Sequence, residues 1–480
     1  MKQLLPILFL FVGYSAYSQN CSCTITEVQN NTVQSCDMLV GDVDTVSTTA
    51  ELRSAIIKAN NQGGNMTILI EDGTYPVAST SWYPYITASN VVIRSLSGNR
   101  NNVIISGQGM KDVAPKVEIG IYAVGDSITI ADLTIKDVGN HGIAATGEHL
   151  FVHNIRIQDT YEQMIKGTSG SGGPDSAIVQ CSLFEYTKGI GPQYYIGGLD
   201  IHRGDYWLVR DNVFIDIASP SRSAAEHAIH FWNNCSHNVI ERNIIVNCDR
   251  GIGFGLGTSQ NTGGIIRNNM IFNNGDDLFD DVGIGLETSP GTKVFNNTVL
   301  IDYPNAIEYR FAATKNVLIT NNLCNKQIKL RNGASASLAA NITNADPTWF
   351  VDPSKGNLRL KSLVTQVVDQ GIPVSPVLTN DIDQVKRFEP FDIGAHEYGV
   401  NGQDEVHAQK YKVYPNPSNG VVYLDVVEGT IFKVYTIDGR LLATGMAKEK
   451  VDISEEENGM FLLQLFLPDG SVVNQSLIKI

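Results

Sequence analysis

Five short β-rich segments share a run of β-branched residues followed by an asparagine: WLVRDNVF (207–214), NVIERNIIV (238–246), GIIRNNMIF (264–272), TKVFNNTVL (292–300) and KNVLITNNLC (315–324). The aligned asparagines Asn212, Asn243, Asn269, Asn297 and Asn322 recur at intervals of 31, 26, 28 and 25 residues. A repeat of this length restricts the chain to a solenoid, a propeller or a comparable array. No blade signature accompanies it, whereas one asparagine per coil fits a right-handed parallel β-helix. Asparagine tolerates the left-handed backbone of a tight bend, and its amide can bond the asparagine of the next coil.

A second strand series interleaves with the first: GIAA (142–145), MIKG (164–167), GLDIHR (198–203), AIHFW (228–232), GIGFG (251–255), GIGLE (283–287) and AIEYR (306–310). Side chains alternate along a strand, so inward Ile143, Ile165, Leu199, Ile229, Ile252, Ile284 and Ile307 turn their neighbours outward. The longer coils must carry loops (168–175, 190–197, 218–226, 256–263 and 274–281) that wall a groove over this series, where function usually sits. Residues 48–60 read as an amphipathic helix capping the open end of the solenoid, with TILIEDGTY as the first strand and turn. The fold class is therefore all-β.

Composition agrees. Charged residues are 18% and apolar residues 42%, less charge than the usual ~25%, which suits a large core. A formal charge of −15 excludes a nucleic-acid binder acting through its overall charge. The seven cysteines are too few for a disulfide scaffold, and the odd number leaves a thiol unpaired. Cys21, Cys23 and Cys36 can supply one disulfide, and the other four read as small buried apolar residues. Residues 1–18 carry Lys2, an apolar run and small residues before Gln19, the pattern of a cleaved secretory signal peptide. The β-helix domain is expected to span 19–400. No later stretch could cross a bilayer, so the mature protein is expected to be exported, soluble and monomeric.

Residues 344–398 end in DIGAHEYG, similar to the closing segment of bacterial secreted β-helices. A polar linker (401–410) leads to a unit at 411–480, which by itself reads as a short β-sandwich. Its VYPNPSNG, FKVYTIDGRLL, NGMFLLQL and SLIKI resemble the type A sorting domain of the type IX secretion system of Bacteroidetes. That resemblance implies the secretion machinery as a partner, export across the outer membrane, and release or attachment at the cell surface.

Outward positions on the groove strands are Lys166, then Asp200 and His202, then His230 and Trp232, then Gly253 and Gly255, then Gly285 and Glu287. Adjacent strands lie about 4.8 Å apart, so Lys166, Asp200 and His230 are expected to stack. Glycines beyond them would leave a bare floor for a chain-like ligand, and this suits an acidic polysaccharide. Trp232 could stack on a sugar or simply cover apolar surface. Glu226 and His227 stand at the groove as further binding residues; with His230 they have the composition of a metal cluster, but HxxH lacks a further spaced zinc ligand. Asp205, Arg210, Asp211, Arg242, Asp249 and Arg250 are expected to form ion-pair ladders. The acidic loop DDLFDD could hold calcium through Asp276, Asp277, Asp280 or Asp281, or be simply solvated.

YEQMIKGTS (161–169) followed by GGLDIHRGDYWLVRDNVF (197–214) is similar to the run in polysaccharide lyase family six, the group of chondroitinase B and alginate lyases. The resemblance implies Lys166 as base, Arg203 as catalytic arginine, and calcium held by Glu162. Here HRG replaces the family's RHG, Lys166 and Arg203 stand 37 residues apart, and only Asp159 is near where a second calcium ligand would be. β-Elimination from a uronic acid needs the carboxylate neutralised, a base for the proton α to it and an acid for the leaving oxygen. Lysine is a base only if its pKa falls, which Arg203 would assist; His202 or His230 could share the acid and base roles. A glycoside hydrolase or epimerase on the same fold, and a non-catalytic glycan-binding or adhesive surface protein, are the alternatives.

Overall fold

The inward residues Ile143, Ile165, Leu199, Ile229, Ile252, Ile284 and Ile307 occupy one parallel register, coil upon coil, and all are fully buried. They form one wall of a continuous apolar core, as the alternation along each strand requires. The structure is a computed structural model. It describes residues 21–480 except 37, 78–81, 112–117, 169–172, 276–277, 375, 377, 400–410, 415–417, 427–428, 437–439, 447–449, 467–471 and 480. The signal peptide, the linker, Asp276 and Asp277 thus lie outside the described residues.

Three parallel sheets of 12, 10 and 10 strands run the length of a β-helix. The first contains Leu208–Arg210 and its equivalents, the second is the groove sheet, and the third contains Val213–Ile215 and its equivalents. The bend between the first and third sheets carries the asparagine ladder. Asn212 donates its amide to Asn243 Oδ1 at 3.0 Å, and the pattern repeats through Asn269, Asn297 and Asn322 to Asn341 at 2.9–3.0 Å. The left-handed residue is the one before each ladder asparagine: Asp211, Arg242, Asn268, Asn296 and Asn321. The ladder asparagines serve through their amides, which satisfy buried backbone groups on the preceding coil and bond the asparagine of the next.

The N-terminus departs from expectation. The helix Thr49–Gln62 is capped by Thr48 and Gly63 and buries Leu52, Ala55, Ile56 and Ala59. It is preceded by a strand, Asp42–Val46, which pairs in parallel with Gly64–Ile70 and so precedes TILIEDGTY in the sheet. Cys21 is bonded to Cys36, and Cys23 to Cys181. Cys181 is therefore a covalent anchor and not a small apolar filler, while Cys235, Cys248 and Cys324 are buried thiols outside these two disulfides. The closing segment also does more than end the solenoid. Phe350, Leu358, Leu360, Ile382, Ile393 and Ala395 pack on the outer face of the third sheet, together with Ile25 and Val28.

The N-terminal strap makes one pH-dependent contact. His153 is fully buried; Nδ1 faces the Gln180 amide at 3.2 Å and Nε2 faces the Gln34 carbonyl at 3.3 Å. This neutral pattern, with burial as the main cause, depresses its pKa to about 4. Between the unfolded value near 6.5 and about 4 the unfolded chain binds the extra proton, so stability is lost as pH falls through that window. Between about pH 7 and 4.5 the wild type should therefore lose roughly 2 kcal/mol more than His153→Gln. Denaturant midpoints at both pH values check this; parallel losses would refute it.

A second compact unit runs from Gly399 to Ile480. Its three-stranded and four-stranded antiparallel sheets share a core of Val422, Val451, Phe432, Val434, Leu463 and Leu465, the two-sheet arrangement expected of a β-sandwich.

Candidate active site

The site is built on three consecutive groove strands, Ile165–Gly167, Leu199–His202 and Ile229–Trp232. Register places Lys166 beside Asp200 and Asp200 beside His230, with His202 beside Trp232. Asp200 is the hub and is 1% exposed. Oδ2 accepts from the Lys166 ammonium, while Oδ1 accepts from Trp232 Nε1 at 2.7 Å and lies 3.5 Å from His202 Nε2. Burial alone would raise its pKa, but the His202 hydrogen bond and the Lys166 and His230 charges win and hold it well below the carboxylate range. Lys166 Nζ lies 3.2 Å from His202 Nε2, and both side chains remain partly open, at 12% and 18%.

His230 is fully buried, yet its pKa is raised. Burial opposes the charge, but the Glu226 carboxylate 3.0 Å from Nδ1, the Asp200 charge and the Gly255 carbonyl 3.2 Å from Nε2 outweigh it. Glu226 is lowered in return: burial would raise it, and the His230 bond prevails. Asp249 positions Glu226 by accepting the Ser219 and Ala225 amides at 2.9 and 2.7 Å, which ties loop 218–226 over the groove. His227 is buried and neutral, depressed by burial and then by the His230 charge. Its ring lies on the floor where the sequence leaves glycine: a Cβ on Gly253 would come within 2.6 Å of His227 Nε2. The expected bare floor is therefore filled from above at Gly253, and Gly255 serves instead as the acceptor for His230.

Other expected site residues are placed apart from this hub. Arg203 occupies the left-handed bend just after the strand, with an exposed side chain, and its amide donates to Trp232 O at 3.4 Å. Glu162 stands 3.6 Å from His141 Nε2, its pKa raised by burial against the pull of Lys166. Asp159 instead accepts from the Thr187 amide and hydroxyl at 2.9 and 2.6 Å. Glu162 and Asp159 do not share a cage: among the described residues, neither belongs to a group of three close ligand atoms. Calcium takes six to eight oxygens, and these residues do not fit it. Asp280 accepts from Asn273, and Asp281 pairs with Arg250.

Of the expected ion-pair ladder, Arg242 bridges Asp211 at 2.8 Å and Arg250 reaches Asp281; Asp249 serves the loop instead. Glu226, His227 and His230 do bring ligand atoms within 4.8 Å of one another. Both ring nitrogens of His230 are already engaged, however, so a metal would have to displace one of those bonds. Two groove residues, His141 and Tyr195, are absent from the expected set. The Tyr195 carbonyl accepts from Gln163 Nε2 at 3.5 Å, and the Tyr195 hydroxyl lies in the field of Asp200, Glu226 and Glu162; its place in the groove-wall loop 190–197 is the signal that could have found it.

The family described as a secretion system C-terminal sorting domain matches residues 412–479, and the family described as periplasmic copper-binding protein (NosD) matches residues 152–345. No curated protein matches. Among solved structures, the chain is similar to pectate lyase Pel9A (14% identity, TM-score 0.49, 76% of this chain and 98% of that one). It is also similar to an alginate lyase from Paenibacillus sp. str. FPU-7 (14% identity, TM-score 0.39, 62% and 99%). A third is an endo-xylogalacturonan hydrolase from Aspergillus tubingensis (9% identity, TM-score 0.40, 64% and 96%). The chain is a parallel β-helix protein with a C-terminal sorting domain, and that domain marks it for type IX secretion to the cell surface or the exterior. Among the described residues no helix is long and apolar enough to cross a membrane.

Proposed function

We propose that the protein is a polysaccharide lyase acting on a uronic-acid-containing chain by β-elimination. The observation that carries this is the half-open pair of Lys166 Nζ and His202 Nε2, 3.2 Å apart and anchored by buried Asp200. Lys166 is ion-paired to that carboxylate, so it takes the role of the cation that neutralises the uronate carboxylate and its enolate-like transition state. The base is then His202 through Nδ1, because Nε2 is turned to Asp200 and Lys166: Nδ1 accepts the proton α to the carboxylate, the bond from the β carbon to the glycosidic oxygen breaks, and the imidazolium returns the proton to that oxygen. His230, charged and fixed by Glu226, adds positive field without touching substrate. Arg203, at the exposed bend, is suited to gripping a second acidic group. The copper in the matched family's description and the calcium implied by the lyase resemblance enter no step.

The test is to mix the mature protein with alginate, polygalacturonate, chondroitin sulfate, dermatan sulfate and ulvan, and to follow the ultraviolet absorbance of an unsaturated uronide. Lys166→Ala and His202→Ala should each lower the rate by about a hundredfold or more while the fold is kept. Wild-type rates in either variant would sink the assignment. One observation favours a hydrolase as second reading: two partly open carboxylates near Tyr195 are shifted oppositely, Glu162 upward and Glu226 downward, as an acid and base pair requires. New reducing ends without absorbance, lost in Glu162→Gln and Glu226→Gln, would select it. Flat traces with retained glycan binding would select the binding protein.

A further inference from the structure

The outward column that holds Lys166 and Asp200 continues beyond them in both directions. Toward the C-terminus it runs through His230, Gly253, Gly285 and Glu308. That side is closed to a ligand: His227 fills the space over Gly253, Glu308 is buried against Arg331 at 2.8 Å, and Glu287 pairs with Arg310 at 3.1 Å. Toward the N-terminus the column runs from Lys166 through Ala144 to Tyr122 and Tyr85. Ala144 leaves a low step beside the lysine. Beyond it Tyr85 and Tyr122 meet with ring centroids 5.3 Å apart, and Tyr83 joins them at 6.3 and 6.5 Å.

Tyr85 is 43% exposed, on a strand face where alternation leaves it pointing away from the core. Tyr83 and Tyr122 are half-buried beside it, and a cluster of aromatic rings that reaches solvent at a sheet surface marks a contact surface. Tyrosine offers a rigid apolar ring with a polar tip, which suits the apolar faces and hydroxyl rims of sugars. Tyr122 lies two strands from Lys166, about 10 Å away at the spacing of paired strands. A single sugar at the charged cluster cannot reach the rings, whereas a chain leaving it over Ala144 must cross them.

We infer that Tyr83, Tyr85 and Tyr122 form a stacking subsite for sugar residues of the same polysaccharide, so that the bound chain extends from Lys166 toward the N-terminal coils. The occupant is a glycan, because the platform is continuous in register with the charged cluster and the opposite direction is closed. This inference rests on the reading of that cluster as a polysaccharide site, but it does not require elimination.

The test separates the two. His202→Ala protein, which lacks the base but keeps the Lys166 cation, is run through native gels containing alginate, polygalacturonate, chondroitin sulfate, dermatan sulfate or ulvan, and retention gives an apparent Kd. Adding Tyr85→Ala and Tyr122→Ala should weaken retention about tenfold or more, the effect of losing an aromatic anchor. Tyr206→Ala, which removes an exposed tyrosine stacked on His237 outside the groove column, should leave it unchanged. Thermal melting confirms that each variant is folded. Retention unaffected by loss of both groove tyrosines, or no retention on any gel, overturns the subsite. Tyrosine-dependent retention without any unsaturated product from the unsubstituted protein would uphold the subsite while rejecting the lyase.

Discussion

Asp200→Ala should lower the stability of the β-helix by about 3–5 kcal/mol and abolish activity, because it leaves buried cations without their partner. The Lys166 ammonium loses its counter-charge, His230 retains only Glu226 as a nearby anion, and the Trp232 indole loses its acceptor. Lys166 stands on the strand one coil before Asp200, and His230 and Trp232 share the strand one coil after it. A denaturant titration should show the midpoint fall with an unchanged slope. Asp200→Asn keeps the shape but supplies one acceptor oxygen where two are used, so it should be folded better than the alanine variant and equally inactive. A wild-type midpoint for Asp200→Ala would mean that the cluster exchanges freely with solvent and is not a built site. The wild-type contribution should persist at neutral pH and be lost only as pH falls through the depressed folded-state value of Asp200, below the unfolded value near 3.8.

The second large effect is expected at the centre of the ladder. Asn269 Nδ2 donates to Ile240 O, Arg267 O and Asn297 Oδ1, while its Oδ1 accepts from the amide and side chain of Asn243. Asn269→Ala strands buried backbone groups on two coils and should cost about 2–4 kcal/mol. Asn269→Asp keeps the acceptor but turns a carboxylate toward two carbonyl oxygens, so it should be at least as damaging. A solenoid is held by contacts between neighbouring coils, and hydrogen exchange should therefore quicken first at Ile240 and Val294, on either side of the lesion. Wild-type stability for both variants would show that the ladder is incidental to the fold.

The lyase reading and the tyrosine subsite make different use of one surface. The charged cluster offers neutralisation and proton transfer over two strands, and the rings offer affinity along the chain. Binding energy gained away from the reacting bond can hold the substrate at the base, which is why a short oligosaccharide that cannot reach Tyr122 should be the poorer ligand.

Much of this architecture is legible in the residues themselves. The isoleucine column could be read because side chains alternate every two residues, and one misplaced strand would turn the whole outward set into the core. The asparagine ladder was visible in its spacing, although the left-handed residue proved to be its predecessor. Stacking of Lys166 on Asp200 and His230 followed directly from that register. Tertiary structure decided what crosses between coils. Cys23 finds Cys181 across 158 residues, His227 folds back over Gly253, and the closing segment runs along the third sheet. Tyr85 and Tyr122 share no motif and meet only because their coils stack. Local periodicity determines which way a side chain points; loop length and packing determine what it meets there.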